Sequence, residues 1–218
     1  MTRPYVILNA AMSLDGKIST REGDSRISSP EDLERVHDLR QGVDAVMVGI
    51  NTILKDDPIL TNRSGGNKIP LRVVVDSMAR TPTDAKVVMT VREIDTLVAV
   101  TTKAPDSRIK LLRKLGINIL ISGRNNMVDL SFLLRHLSEI GVEKLLLEGG
   151  GTLNWSMLSQ GLVDEIYVAI SPMIFGGDKA TTLVGGLGFP TIENAIHVNL
   201  KKIETHGENI VLFFKVIP

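Results

Sequence analysis

The 218-residue chain carries 25 Lys plus Arg against 25 Asp plus Glu, so its formal net charge is zero. With 43% hydrophobic and 23% charged residues and no cysteine, it reads as one globular domain over residues 1–218, neither disordered nor disulfide-stapled. The absent basic excess argues against a nucleic-acid partner while allowing a local basic pocket, and the absent cysteines exclude thiolate catalysis and Cys-ligated zinc.

The first apolar run has the length of a signal-peptide core. Asn9 interrupts it, however, and Ser13-Leu14-Asp15-Gly16-Lys17 replaces a small-residue cleavage site, so residues 5–11 are expected to form a buried strand. Nothing approaches the roughly 20 apolar residues of a membrane span, and a cytoplasmic location is the default. A helix should follow Ser29 as N-cap, with Pro30 at its first position and Asp32 in its first turn. Its expected buried stripe is Leu33, Val36 and Leu39, and Gly42 closes it. Further apolar runs predict strands at 45–49, 71–76, 96–101, 117–122, 144–148 and 165–171. Helical patterns at 107–115, 130–140 and 152–160 each precede a glycine: Gly116, Gly141 or Gly161. Residues 197–205 and 209–216 flank His206-Gly207-Glu208 and predict an antiparallel hairpin. The expected fold is α/β, a mostly parallel central sheet flanked by helices and finished by that hairpin.

Three strand ends carry the chemical signals. Leu147-Glu148-Gly149-Gly150-Gly151-Thr152 takes an apolar strand through three glycines into a helix. Glycines admit a ligand close to the backbone, and a helix start favours an anion such as a pyrophosphate. The segment is not the G-x-G-x-x-G fingerprint, because Asn154 stands at the third glycine, and it lies far from the first βα unit. Thr52 and Asp56, four residues apart after the 45–49 strand, share a face of any helical turn there, although Asp56-Asp57-Pro58 also reads as a plain helix stop. Val75-Asp76-Ser77-Met78-Ala79-Arg80 ends a strand in a turn with one Arg that suits a cofactor phosphate or merely meets solvent. His37, His136, His197 and His206 show no metal-ligand spacing, so no metal is expected. Ser13, Ser28 and Ser131 lack the G-x-S-x-G elbow of a serine hydrolase. Phe175-Gly176-Gly177-Asp178 and Gly185-Gly186-Leu187-Gly188 read as flexible loops near a site or as simple turns.

Taken in order, Met12-Ser13-Leu14-Asp15-Gly16-Lys17, Asp24-Ser25-Arg26-Ile27-Ser28, Asn51-Thr52 through Asp56-Asp57-Pro58, Val75-Asp76-Ser77, Glu148-Gly149-Gly150-Gly151 and Phe175-Gly176-Gly177 resemble the reductase family of riboflavin biosynthesis. The resemblance runs from about residue 5 to the C-terminus. It implies a dihydrofolate-reductase-like fold, a homodimer, NADPH as cofactor, and reduction of the ribosylamino side chain of a phosphorylated ribosylaminopyrimidine to ribitylamino, by hydride addition to C1′ of an opened imine. Carried over by position, Thr52 and Asp56 meet the nicotinamide half of the cofactor. Ser77 and Arg80 flank its adenosine phosphate end, and Gly149, Gly150, Gly151 and Thr152 hold the pyrophosphate. Ser25, Arg40, Arg63 and Glu148 match substrate positions, with the two arginines assigned to the substrate phosphate. Glu148 and Asp56 are the catalytic candidates, with Asp56 or a bound water as proton donor. The family's bacterial members often carry a zinc deaminase. With no cysteine this sequence lacks its ligands, so the resemblance implies a reductase acting on the diamino compound. The competing readings are a reductase of the same fold acting on the deaminated pyrimidine or on a pterin or folate, and a non-catalytic nucleotide-binding domain.

Overall fold

A computed structural model describes residues 3–62 and 69–217. In chain order its elements are β1 (Tyr5–Ser13), α1 (Pro30–Gln41), β2 (Ala45–Gly49), α2 (Ile50–Asp56), β3 (Leu71–Val75), α3 (Lys86–Met89), β4 (Thr96–Val100) and α4 (Asp106–Lys114). They continue with β5 (Asn118–Ile121), α5 (Leu130–Glu139), β6 (Lys144–Leu147), α6 (Gly151–Leu158), β7 (Glu165–Ser171), a 3-10 turn (Ile192–Asn194), β8 (Val198–His206) and β9 (Asn209–Val216). Two compact units emerge, one of Met1–Tyr5 and Asp38–Leu146, the other of Val6–His37 and Leu147–Pro218.

In the first unit the strand order is β5-β4-β3-β2-β6, and the β2/β3, β3/β4 and β4/β5 pairs are parallel. The strands form because their residues are apolar on both faces: Ala45 to Val48 are fully buried, and every residue of β4 is buried. Burying one such Val or Leu contributes roughly 1.5–3 kcal/mol. Edge strand β5 differs, being half-exposed or exposed along its length. Helix α5 starts on Asp129, whose carboxylate accepts the Phe132 N–H at 2.9 Å, and buries Leu130, Leu133, Leu134 and Leu137 at helical spacing. Arg72 of β3 is completely buried and donates to Thr90 Oγ1, Val87 O and Ile94 O. Burial pushes its guanidinium down to about 10, with Asp95 and Glu93 opposing, so it stays charged at neutral pH.

In the second unit β1 pairs in parallel with β7, which pairs antiparallel with β9, and β9 with β8, with an irregularity between Leu200 and Lys202. The C-terminal hairpin is therefore as expected, turning at Gly207 with φ +59°. The α1 cap also matches, since Ser29 Oγ accepts the Asp32 N–H at 3.1 Å. Its expected apolar stripe does not. Leu33 is 50% exposed and Val36 and Leu39 are only half-buried, while the buried residues of this helix are Asp32 and Arg35. The reason is an ion pair: Arg35 binds Asp32 at 2.8 Å and donates to Asn9 Oδ1 of β1 at 3.0 Å, turning a polar face inward.

Candidate active site

In the first unit, β2 runs straight into α2 at Ile50, and Thr52 and Asp56 lie one turn apart on it, half-buried and exposed respectively. The helix stops because Asp57 turns left-handed, φ +41°, and returns its N–H to Ile53 O at 3.2 Å. The Asp57 carboxylate then receives the Lys86 N–H at 2.8 Å. Asp57 is thus structural, which leaves Asp56 as the acid on the helix face. Arg40, in the last turn of α1, spends Nη1 on Thr61 O at 3.0 Å. Arg63 lies outside the described residues.

The turn after β3 is held from several sides. Buried Asp76 accepts the Thr81 N–H at 2.7 Å and its hydroxyl at 2.8 Å, and its own carbonyl takes the Ala79 N–H. Ala79 is left-handed at φ +53°, an unfavourable conformation for a residue with a Cβ. Ser77 is half-buried and Arg80 exposed, with Arg80 Nη2 donating to Asn51 Oδ1 at 3.3 Å. That contact brings the Arg80 turn beside the start of α2, next to Thr52.

In the second unit, β6 ends and the glycines bend the chain. Gly149 and Gly150 have φ +66° and +81°, and α6 begins at Gly151, one residue earlier than the 152–160 expected. A Cβ on Gly151 would stand 2.5 Å from Thr182 O, and one on Gly149 would stand 2.7 Å from Asn154 Oδ1. Gly151 O accepts the Gly185 N–H at 3.0 Å, and Asn154 Nδ2 donates to Leu183 O at 2.8 Å. The Gly150 and Gly151 carbonyls are thereby occupied, by the Asn154 and Gly185 amides, whereas the first N–H groups of a helix have no partner within it. Thr152 is exposed and Glu148 half-buried.

The other glycine loops of this unit are anchored. Asp15 accepts the Ser13 hydroxyl at 2.6 Å and the N–H groups of Phe175 and Gly176 at 3.0 and 2.7 Å. The Ser13 hydroxyl first, then the Phe175 and Gly176 amides, lower its carboxyl to about 2. A Cβ on Gly186 would strike the Trp155 ring, which itself packs on Phe189 with centroids 4.9 Å apart. Ser25 sits on an exposed turn beside the Asp24–Arg26 ion pair, its carbonyl taking the Ile27 N–H at 2.9 Å. Among the described residues no group of three or more His, Cys, Asp or Glu is arranged to hold a metal, and no helix is long and apolar enough to cross a membrane.

A family model described as the RibD C-terminal domain matches residues 4–212. The chain belongs to the RibD C-terminal domain family. It is 51% identical to the 2,5-diamino-6-ribosylamino-4(3H)-pyrimidinone 5′-phosphate reductase of Methanothermobacter thermautotrophicus, covering 98% of this chain and 99% of that protein. It is 41% identical to the riboflavin biosynthesis protein RibD of Actinobacillus pleuropneumoniae over 99% of this chain and 57% of the relative. Among solved structures, Acinetobacter baumannii RibD matches with a TM-score of 0.85 at 27% identity, covering 99% of this chain and 58% of that one. The resemblance to the riboflavin-biosynthesis reductases therefore holds, as does the dihydrofolate-reductase-like α/β fold.

Each unit, taken by itself, carries a turn with features suited to an anionic group of a nucleotide cofactor. Gly150, at φ +81° and ψ 137°, adopts backbone angles reserved for glycine and opens α6 with its first-turn amides. Within the first unit, the turn after β3 carries the exposed cation Arg80. Sequence reasoning missed the roles of the groups that hold the three turns: Asp76 and Arg108 after β3, Asn154 after β6, and Asp15 at Phe175–Gly176. All act on main-chain groups; Asp15 and Asp76 stand inside the motifs that carry the resemblance and Asn154 at the third-glycine position, so only Arg108 carries no signal in the sequence.

Proposed function

We propose that this chain is an NADPH-dependent reductase that converts the ribosylamino side chain of 2,5-diamino-6-ribosylamino-4(3H)-pyrimidinone 5′-phosphate to the ribitylamino form, in the cytoplasm and as a homodimer. The observation that carries the reading is the near end-to-end match to the archaeal reductase of that name. We take residues 1–218 as one reductase domain. Gly149, Gly150, Gly151 and Thr152 are assigned to the cofactor pyrophosphate through helix-start amides. Ser77 and Arg80 are assigned to its adenosine phosphate end, and Thr52 and Asp56 to its nicotinamide half.

Arg40 and Arg63 are assigned to the substrate phosphate, whose oxygens a planar guanidinium matches in pairs. Ser25 and Glu148 hold the rest of the substrate, Glu148 accepting hydrogen bonds from the pyrimidine amino groups. Bound NADPH supplies the hydride that reduces C1′ of the ring-opened imine. The imine nitrogen keeps its bond to C1′ and takes up one proton, for which Asp56 is the assigned donor. Excluding water around C1′ favours this step over hydrolysis of the imine.

The test is NADPH oxidation with the diamino substrate and, separately, with its deaminated counterpart. The expected result is turnover of the diamino compound to a product that retains both amino groups. Ammonia release during turnover, or oxidation only with the deaminated compound, overturns the assignment.

A further inference from the structure

In the turn after β3, alternate carbonyls point into the chain. Ser77 O accepts the Thr101 N–H at 3.1 Å and the Thr101 hydroxyl at 3.0 Å. Ala79 O accepts Arg108 Nε at 2.9 Å, and Thr81 O accepts Arg108 Nη2 at 2.6 Å. In a trans peptide the following N–H points opposite to the carbonyl, so the amides of Met78 and Arg80 face away from this clamp. They do so around a left-handed residue, Ala79, and beside the exposed Arg80 side chain. Two outward amides flanking a left-handed residue, with the Ala79 N–H between them held by Asp76 O, form a concavity suited to an anion.

We propose that Arg108 is a positioning residue that sets a preference for the 2′-phosphorylated dinucleotide, by clamping the Ala79 and Thr81 carbonyls so that the Arg80 turn keeps its anion-facing shape. The proposal rests on the assignment of Ser77 and Arg80 to the adenosine phosphate end. Arg108 reaches the turn from α4, 27 and 29 residues further along the chain, and is itself half-buried. Only a forked, planar donor bridges two carbonyls in this way; an ammonium serves one of them well. Without the fork, Ala79 relaxes toward ordinary backbone angles, and the outward amides and Arg80 lose their common aim.

The experiment titrates 2′-phosphoadenosine 5′-diphosphoribose and ADP-ribose into wild type, Arg108→Lys and Arg108→Met by calorimetry, alongside thermal unfolding and KM for NADPH and NADH. Arg108→Met should lose about tenfold of the wild-type discrimination, the loss falling on the phosphorylated ligand and on KM, with Arg108→Lys in between. A discrimination ratio equal to wild type, or equal weakening of both ligands, overturns the proposal and leaves Arg108 as a stabilising contact only. If Arg108→Met does not fold, Arg108→Lys carries the same comparison. Wild type that does not discriminate overturns the proposal together with the underlying assignment. Discrimination that survives in Arg80→Ala but falls in Arg108→Met overturns the role of Arg80 while supporting that of Arg108.

Discussion

Two strand ends supply the candidate cofactor contacts, and they are shaped by opposite means. After β6 the chain bends because side chains are missing: Gly149 and Gly150 take positive φ, and Gly151 leaves room for the Thr182 carbonyl. After β3 the chain bends in spite of a side chain. Ala79 is held left-handed by Asp76, Thr101 and Arg108 acting on the turn's main chain. The first device is local and puts its requirement in the residue itself. The second spreads it over residues as far as 29 positions away. A glycine turn should therefore fail abruptly when a methyl group is added, whereas a clamped turn should tolerate change at its centre and fail through its distant supports.

The largest expected effect is at Gly151. Its φ is not positive, so an added methyl tests packing alone, against a main-chain oxygen 2.5 Å away that cannot rotate aside. Gly151→Ala should lower unfolding free energy by about 2–3 kcal/mol, within the usual range for overpacking. Gly161→Ala is the control, because Gly161 has φ +65° and nothing within 4 Å of an added Cβ. It should lose only about 1 kcal/mol from backbone strain. Equal losses in urea denaturation would mean that contact with the Thr182 loop does not shape the glycine turn.

The clamped turn sharpens the comparison. Ala79→Gly removes the left-handed penalty of roughly 1–2 kcal/mol, while the added freedom of glycine in the unfolded chain returns roughly 0.5–1 kcal/mol and loss of the fully buried methyl roughly 0.8 kcal/mol. The net should lie within about 1 kcal/mol of zero. A loss of about 2 kcal/mol or more in the same denaturation experiment would show that relief of the left-handed penalty contributes little.

The same division explains what was legible beforehand. Strands β2 and β7 were placed to the residue because continuous apolar runs are a local signal, and the α1 cap was legible because Ser29-Pro30 is one too. Helix α3, four residues without a period, leaves no pattern to read. The apolar stripe of α1 was misplaced because apolar periodicity does not register a buried Asp32–Arg35 pair, whose partner Asn9 is 26 residues distant from Arg35. At the candidate site the glycine turn was visible, since its requirement lies in the sequence of the turn itself. Arg108 was not, because a side chain bonded to distant carbonyls resembles any other surface arginine until the fold brings them together.

The smallest predicted effect concerns a third loop, in which a carboxylate does the holding within the glycine-rich unit. Asp15 is exposed, so its bonds to the Phe175 and Gly176 amides compete with water and should govern local order rather than global stability. Its carboxyl is lowered from 3.8 to about 2, by the Ser13 hydroxyl above all and then by those amides. A depressed carboxyl pKa stabilises the folded arrangement above the unperturbed value, and that contribution disappears as pH falls through the depressed one. The anchoring of the Phe175–Gly176 loop should therefore be complete above about pH 4 and lost on acidification toward pH 2. The amide resonances of Phe175 and Gly176, followed by NMR from pH 5 downward, should move together with a midpoint near 2, and in Asp15→Asn that transition should vanish. A midpoint at the ordinary 3.8 would mean that Asp15 does not grip the loop. The glycines there, both left-handed at φ +61° and +80°, would then shape it unaided, as Gly149 and Gly150 shape the turn after β6.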